Sequence, residues 1–384
     1  MVFTRKGTDT ATGQTAKREH ADGDKAAKRS KAKGGMAMAK KETASATTTK
    51  KEKPHMPSQR QMSKKGYGPG ETMFGIRFTH PDKVMFPKAK LTKANLAQYY
   101  LDIGNFIMPY LNDRPLTIVR GIRGATDERQ FVQRHPPAGL HPTMKHGKIK
   151  QKDGRTLEYM YAEEAMALVA AVQMDTVEFH AWQAKFQSPN HPDQLVFDLD
   201  PGEGVTFSTL VEVARAMRKV LEDEFHLKSF IMLTGSVGLH IVCPLHPPEK
   251  TFDVTHDFAK GVAYFLEVAK PSIVTAKPGK PSRIGKVFID YIRNSYNQTS
   301  IVPYSTRARP EAPVATPVDW SELDSIKAPN QFTTKTVLER VRSASFKDPW
   351  KGFGAVHQHI PQDWRDTMSK LLSSAPGSSS SSAH

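Results

Sequence analysis

The stretch Leu195-Val196-Phe197-Asp198-Leu199-Asp200-Pro201-Gly202 alternates apolar residues with acids. Side chains of a β-strand point to opposite faces with period two, so Asp198 and Asp200 share one face while Leu195, Phe197 and Leu199 share the other. Neighbouring carboxylates repel unless positive charge stands between them, and phosphate-handling enzymes commonly place a divalent metal ion there. A solvated strand end with two acids reads the same way in isolation. Asp290 sits inside Val287-Phe288-Ile289-Asp290-Tyr291, a buried type of strand in which an acid is costly unless it is paired or coordinates metal. In Thr234-Gly235-Ser236-Val237-Gly238, two glycines bracket a hydroxyl residue, a turn that lets backbone N–H groups approach an anion, although a plain hairpin turn looks similar. Arg307 and Arg309 stand at i, i+2, on one side of an extended chain and suited to clamping phosphate oxygens.

Other residues carry less singly. Lys83 and Lys93 flank a Pro-containing turn before a helix N-terminus, where N–H groups attract anions; solvated surface lysines are the plain alternative. Arg120, Phe131 and Arg134 lie in segments that interleave aromatic and basic groups, a pattern for stacking on bases and gripping phosphate and equally that of an edge strand. His180 stands beside aromatics and His240 alternates with Leu239 and Ile241; a lone His so placed is more often a hydrogen-bonded core or edge residue than a ligand. The loop with Lys277, Lys280, Arg283 and Lys286 reads as solvated.

Periodicity supplies the elements that must position these groups. Helices are expected over Asn95–Leu111 with Thr92 as N-cap, around Glu163–Val172, over Thr206–Phe225, around Phe258–Leu266 and over Thr333–Val341. Strands are expected over Arg114–Arg120, Val177–Trp182, Phe230–Thr234, Leu239–Leu245 and Val287–Tyr291, with Asp348-Pro349-Trp350 as a closing segment.

The 384-residue chain is 38% hydrophobic, enough for a real core. It has no apolar run of membrane-spanning length and no secretory h-region, and its single Cys243 excludes a disulfide framework or a Cys-rich metal site; a reducing cytoplasm, near the nucleoid, is the expected location. Of the net charge of +16, residues 1–70 hold +11, from 17 Lys and Arg against 6 Asp and Glu. This segment is poor in apolar residues and is expected to be a disordered basic tail or linker over 1–72, attracting nucleic acid non-specifically or simply spacing domains. Residues 73–362 are expected to form the folded unit, with a palm over 175–310, and residues 363–384 a flexible C-terminal tail.

Four segments in order, FDLDPGEG (197–204), TGSVGLH (234–240), VFIDY (287–291) and PYSTRAR (303–309), resemble the polymerase domain of bacterial ligase D, in the archaeo-eukaryotic primase superfamily. The resemblance implies an α+β fold, an RRM-like palm packed with a second small α/β layer. It also implies that Asp198, Asp200 and Asp290 bind two divalent ions, Mn or Mg, for nucleotidyl transfer. By the same resemblance His180, Thr234, Ser236, His240, Arg293, Arg307 and Arg309 hold the incoming nucleoside triphosphate. Lys83 and Lys93 grip a 5′-phosphate at a gap or break, and Arg120, Phe131 and Arg134 contact DNA. NTPs or dNTPs (ribonucleotides preferred), gapped or broken DNA, Ku and a DNA ligase are the implied partners, with no membrane. Val237 stands where the family carries a lysine, and Val132 where it carries a second aromatic.

Two other readings compete. A haloacid-dehalogenase-type phosphatase also begins on a D-x-D strand, but wants Thr or Val where Gly202 stands. A catalytically silent module that binds a 5′-phosphorylated end for a partner ligase would have no use for three acids, whose mutual repulsion without metal would destabilise the fold.

Overall fold

Runs of β-branched and aromatic residues in this chain are too short for helices and apolar on both faces, so they pair into sheets covered on each side. The computed structural model describes residues 72–126 and 130–375, and the tail expected over 1–72 lies outside them except for Thr72. Two short ribbons, β1 (Thr72–Met73) with β2 (Ile76–Arg77) and β3 (Val84–Phe86) with β4 (Leu91–Thr92), precede α1 (Lys93–Asp102) and α2 (Gly104–Leu111). Next come β5 (Leu116–Arg120), β6 (Phe131–Gln133), β7 (Met144–Lys150), β8 (Thr156–Ala162), α3 (Ala165–Gln173) and β9 (Thr176–Trp182). The second half runs β10 (Gln194–Pro201), α4 (Phe207–Lys219), β11 (Phe230–Leu233), β12 (Leu239–Pro244), α5 (Phe252–Ala269), β13 (Val274–Thr275) and β14 (Val287–Asp290). It closes with β15 (Thr299–Ile301), β16 (Thr316–Val318), α6 (Thr334–Arg342) and α7 (Trp364–Ser374).

The result is a mixed α+β architecture built on two six-stranded sheets. The palm has the order β13-β14-β10-β12-β11-β16; the other sheet runs β15-β9-β5-β8-β7, with β6 also paired to β5. On β10 the expected alternation holds. Leu195, Phe197 and Leu199 enter a core with Leu210, Val213 and Met217 of α4 and Phe258, Val262 and Leu266 of α5. Val196, on the face of the acids, packs with Phe230, Met232, Val242, Ile301 and Trp350 between the sheets. Glycine matters where β10 ends: a Cβ at Gly202 would collide with the Arg283 carbonyl.

Several expectations are corrected. The single helix over Asn95–Leu111 is two, broken at Ile103; a Cβ on Gly104 would stand only 2.7 Å from Ala165 Cβ, so close packing against α3 selects glycine there. Thr92 does cap the first, its Oγ1 accepting from Asn95 N at 3.2 Å. The helix expected to reach Phe225 is α-helical only to Lys219 and continues as a π-turn over Val220–Glu224. The flexible tail expected from residue 363 instead starts with α7, because Trp364 and Met368 are buried against α5, where Gly261 leaves room for them.

Trp350 confirms the closing segment. Its indole is 2% exposed, stacks on Phe353 and donates from Nε1 to the Ile231 carbonyl at 2.9 Å. Trp350→Ala leaves a cavity and an unpaired carbonyl, and is expected to cost about 3–5 kcal/mol. Urea denaturation reads this directly; a loss below about 1 kcal/mol would place the segment outside the cooperative core.

Candidate active site between the two sheets

Register assembles the centre of the site. On the palm's central strand, Asp198 pairs across to His240 on β12 and to Asp290 on β14. Asp198 Oδ1 lies 3.2 Å from His240 Nε2, and Arg293 Nε lies 3.2 Å from Asp198 Oδ2 and 3.3 Å from Asp290 Oδ2. Arg293 therefore bridges two carboxylates. Asp200, two residues on, has Arg283 NH1 3.9 Å from its Oδ2, and that guanidinium lies 3.7 Å over the Phe288 ring.

Charge is unevenly balanced across this row. Burial would raise the Asp198 carboxyl, yet His240 and Arg293 outweigh it and hold it well below the usual carboxylate range. Asp200 is pushed up to about 6, by burial and then by the charge of Asp198. Burial also raises Asp290, against the pull of Arg293. Two carboxyls raised beside a third that is depressed mark a site short of positive charge. Among the described residues no group of three or more His, Cys, Asp or Glu side chains stands in ion-holding arrangement, and Arg293 occupies the space between Asp198 and Asp290. The all-oxygen donors and the charge deficit nonetheless fit a hard divalent cation.

The glycine turn departs from expectation. Ser236 N and Gly238 N, the donors expected to face an anion, point inward to Thr234 Oγ1 at 3.3 and 3.2 Å, while that hydroxyl donates to Gly238 O at 2.9 Å. Its tightness needs glycine: Gly235 has φ of 68°, and a Cβ on Gly238 would strike the Leu199 carbonyl. Val237 is exposed at its tip.

The facing wall comes from the second sheet. Glu178 and His180 share a face of β9, and Glu178 Oε2 pairs with His180 Nε2 at 2.8 Å. Glu178 Oε1 accepts from Arg307 Nε at 3.1 Å and Ala308 N at 2.7 Å, and Arg307 NH1 donates to Thr234 O at 2.9 Å. Arg309 NH2 donates to Ser236 Oγ at 3.1 Å. Against the raising effect of burial, the His180 hydrogen bond and the Arg307 charge bring the Glu178 carboxyl down to about 2. His180, Asp198, Asp200, Thr234, Arg293 and Arg307 line one cleft of about 160 Å³, with Ser236 and His240. Asp290 joins through Arg293, and Arg309 through Ser236.

The remaining candidates lie outside that cleft. Lys83 and Lys93 converge on Asp175, at 2.9 and 3.1 Å. Arg120 pairs in register with Phe131, its guanidinium 6.0 Å from that ring, and its Nε donates to Met174 O at 2.6 Å. Phe131 and Val132 are exposed, as is Arg134. Sequence reasoning missed Glu178, Asp175 and Arg283. Glu178 was reachable, since the period-two rule that joined Asp198 to Asp200 also joins it to His180; Asp175 and Arg283 acquire partners only through tertiary contacts.

A sheet with three acids faces His180 and Arg307 across this cleft, and comparison with known proteins assigns the fold to the nucleotidyltransferases of the primase-polymerase class. The model of the LigD primase-polymerase domain matches residues 92–350, and the chain belongs to that family. It is 31% identical over 296 residues to the multifunctional non-homologous end joining protein LigD of Pseudomonas aeruginosa, covering 77% of this chain and 35% of that protein. To the multifunctional non-homologous end joining DNA repair protein LigD of Mycobacterium tuberculosis it is 35% identical over 274 residues, covering 69% and 35%. The chain thus spans about a third of the length of these relatives. Among solved structures, the polymerase domain from Mycobacterium tuberculosis ligase D in complex with DNA aligns with a TM-score of 0.66 at 34% identity, covering 74% of this chain and 99% of that one. Among the described residues no helix is long and apolar enough to cross a membrane.

The Glu178 network carries a pH signature. Its carboxyl is depressed from 4.5 to about 2, so its stabilising contribution is complete above about pH 4.5 and is lost as pH falls through about 2. Glu178→Gln is expected to lower stability at neutral pH by about 3 kcal/mol, a gap that closes as the solution is acidified across that window. Denaturant unfolding at a series of pH values measures it; a gap that stays constant across the window contradicts the assignment.

Proposed function

We propose that this chain is a polymerase module of bacterial end joining that adds nucleotides, ribonucleotides by preference, to DNA 3′ ends at gaps and double-strand breaks. The observation that carries this reading is the row Asp198–Arg293–Asp290, opening on a cleft whose opposite wall presents His180 and Arg307. Acids on one wall and guanidinium groups on the other give the polarity needed to hold a triphosphate with its reacting phosphorus toward the acids. The end-joining names of its relatives and the DNA complex of its structural neighbour support the same reading.

Each residue takes a role in this account. Asp198, Asp200 and Asp290 would hold two divalent cations, Mn or Mg, which would supply activation of a primer 3′-hydroxyl and stabilisation of the charge that develops in nucleotidyl transfer. His180, Thr234, Ser236 and His240 orient the nucleotide, and Arg293, Arg307 and Arg309 offset its phosphate charge. Glu178 fixes the His180 ring and the Arg307 fork against one another, so both enter the cleft with their orientation set. Val237 leaves the glycine turn without the extra cation seen in the family pattern, which weakens the hold on the triphosphate. Arg120, Phe131 and Arg134 contact DNA, and Lys83 with Lys93 receives the 5′-phosphate across the gap. Ku and a DNA ligase are the partners that such a module requires, to deliver ends and to seal them.

The test is primer extension on gapped DNA with labelled NTPs or dNTPs and manganese. Asp198→Ala/Asp200→Ala is expected to reduce extension by about a thousandfold or more while gapped DNA is still bound. If both proteins extend equally, or if both bind gapped DNA and neither extends it, the silent end-binding module is the better account.

A further inference from the structure

The two lysines assigned to the 5′-phosphate do not stand alone. Asp175, in the turn between α3 and β9, reaches Lys83 Nζ with Oδ2 at 2.9 Å and Lys93 Nζ with Oδ1 at 3.1 Å. Its backbone is pinned: its N–H donates to Val172 O at 2.8 Å and its carbonyl accepts from Gly121 N at 2.8 Å. Its φ of 64° lies in the left-handed region, which Asp and Asn adopt more readily than other side-chain-bearing residues. The lysines arrive from different elements, Lys83 from the lead into β3 and Lys93 as the first residue of α1. Each is also anchored to a carbonyl, Lys83 to Ile122 O at 2.6 Å and Lys93 to Thr79 O at 3.2 Å. Lys93 is 3% exposed.

Two ammonium groups held this close, with Arg120 nearby, repel each other, and one of them is almost cut off from water. A single carboxylate with one oxygen toward each supplies enough negative charge to keep them together, and leaves the site net positive. We propose that Asp175 is a positioning residue for the 5′-phosphate: its carboxylate stands between Lys83 and Lys93, one oxygen on each, holding the two ammonium groups together and aimed for the incoming phosphate. The inference rests on the reading of Lys83 and Lys93 as the phosphate seat and adds the residue that makes the seat possible.

Electrostatics gives the consequence. Burial lowers the pKa of Lys93, Asp175 opposes that effect, and Lys83 and Arg120 add to it. The charged groups acting on Lys93 are thus Asp175 from the α3–β9 turn, Lys83 from the β3 ribbon and Arg120 from the end of β5. Loss of the carboxylate removes the opposing effect, so the Lys93 proton is lost at lower pH than in the wild type, and its phosphate contact with it.

Asp175→Asn keeps the side-chain shape and tolerates the same φ, which separates charge from folding. The experiment measures binding of gapped DNA bearing a 5′-phosphate or a 5′-hydroxyl, for wild type, Asp175→Asn and Lys83→Ala/Lys93→Ala, from about pH 6 to about pH 9. The wild type is expected to prefer the phosphorylated gap by about tenfold or more, and the lysine variant to have lost that preference. Asp175→Asn is expected to retain part of the preference at the acid end and to lose it as pH rises, earlier than the wild type does. If the wild type shows no preference, the phosphate seat itself is wrong. If the wild type prefers the phosphate and Asp175→Asn matches or exceeds it across the whole range, the seat stands and the role given to Asp175 is overturned.

Discussion

The structure depends on one uncomfortable arrangement, an aspartate buried at the centre of a sheet with a second aspartate directly across from it on the next strand. Asp198 is 7% exposed, and in a medium that screens poorly its repulsion from Asp290 is costly unless a cation lies between them. Arg293 meets that need, one nitrogen serving both carboxylates. It can do so because β14 ends at Asp290 and turns at once into the short 3-10 segment Ile292–Asn294, which brings the guanidinium back over the strand it has just left. Asn294 locks that return, its side chain bonding both the N–H and the C=O of Val196 at 2.8 and 2.7 Å. Strand order, the turn after β14 and the buried amide all serve to keep opposite charges aligned.

The second sheet answers the first through a single carboxylate. Glu178 fixes His180 on its own strand and Arg307 on the segment after β15, and Arg307 in turn reaches the Thr234 carbonyl at the start of the glycine turn. The cleft is therefore spanned by hydrogen bonds from sheet to sheet as well as closed by apolar packing below it, where Trp350 and Ile301 meet Val196 and Val242. Such a site is preorganised: the His180 ring and the Arg307 guanidinium are held in place by Glu178, so less order has to be imposed when a ligand binds. Asp175 does for Lys83 and Lys93 what Glu178 does for His180 and Arg307: one carboxylate holds two basic side chains in place. In both places the acid spends its two oxygens on different partners, so neither basic side chain can move without the other.

Much of this was legible in the chain, for identifiable reasons. Period-two alternation placed Asp198 and Asp200 on one face because both faces of β10 are buried and register errors there would expose the core. Apolar stripes placed α4, α5 and α6, and capping chemistry located the start of α1 at Thr92. Other features were hidden because their causes are tertiary. The β7–β8 hairpin carries Lys145, His146, Lys148 and Lys150 on strands only partly buried, and Gly147 is required by the Phe186 ring, which a Cβ would approach to 2.6 Å. The break at Ile103 reflects the nearness of α3, and α7 owes its order to a niche on α5. Arg283 looked like one more solvated cation until Phe288 and Asp200 appeared beside it.

Most directly open to test is the proposal that Asp290, with Asp198 and Asp200, holds divalent cations beside the cleft. Manganese affinity measured by electron paramagnetic resonance, with gapped DNA and an unreactive nucleotide analogue present, tests it without relying on turnover. The account predicts that Asp290→Asn weakens manganese binding by about tenfold or more while the protein remains folded. Unchanged affinity in that variant would contradict it.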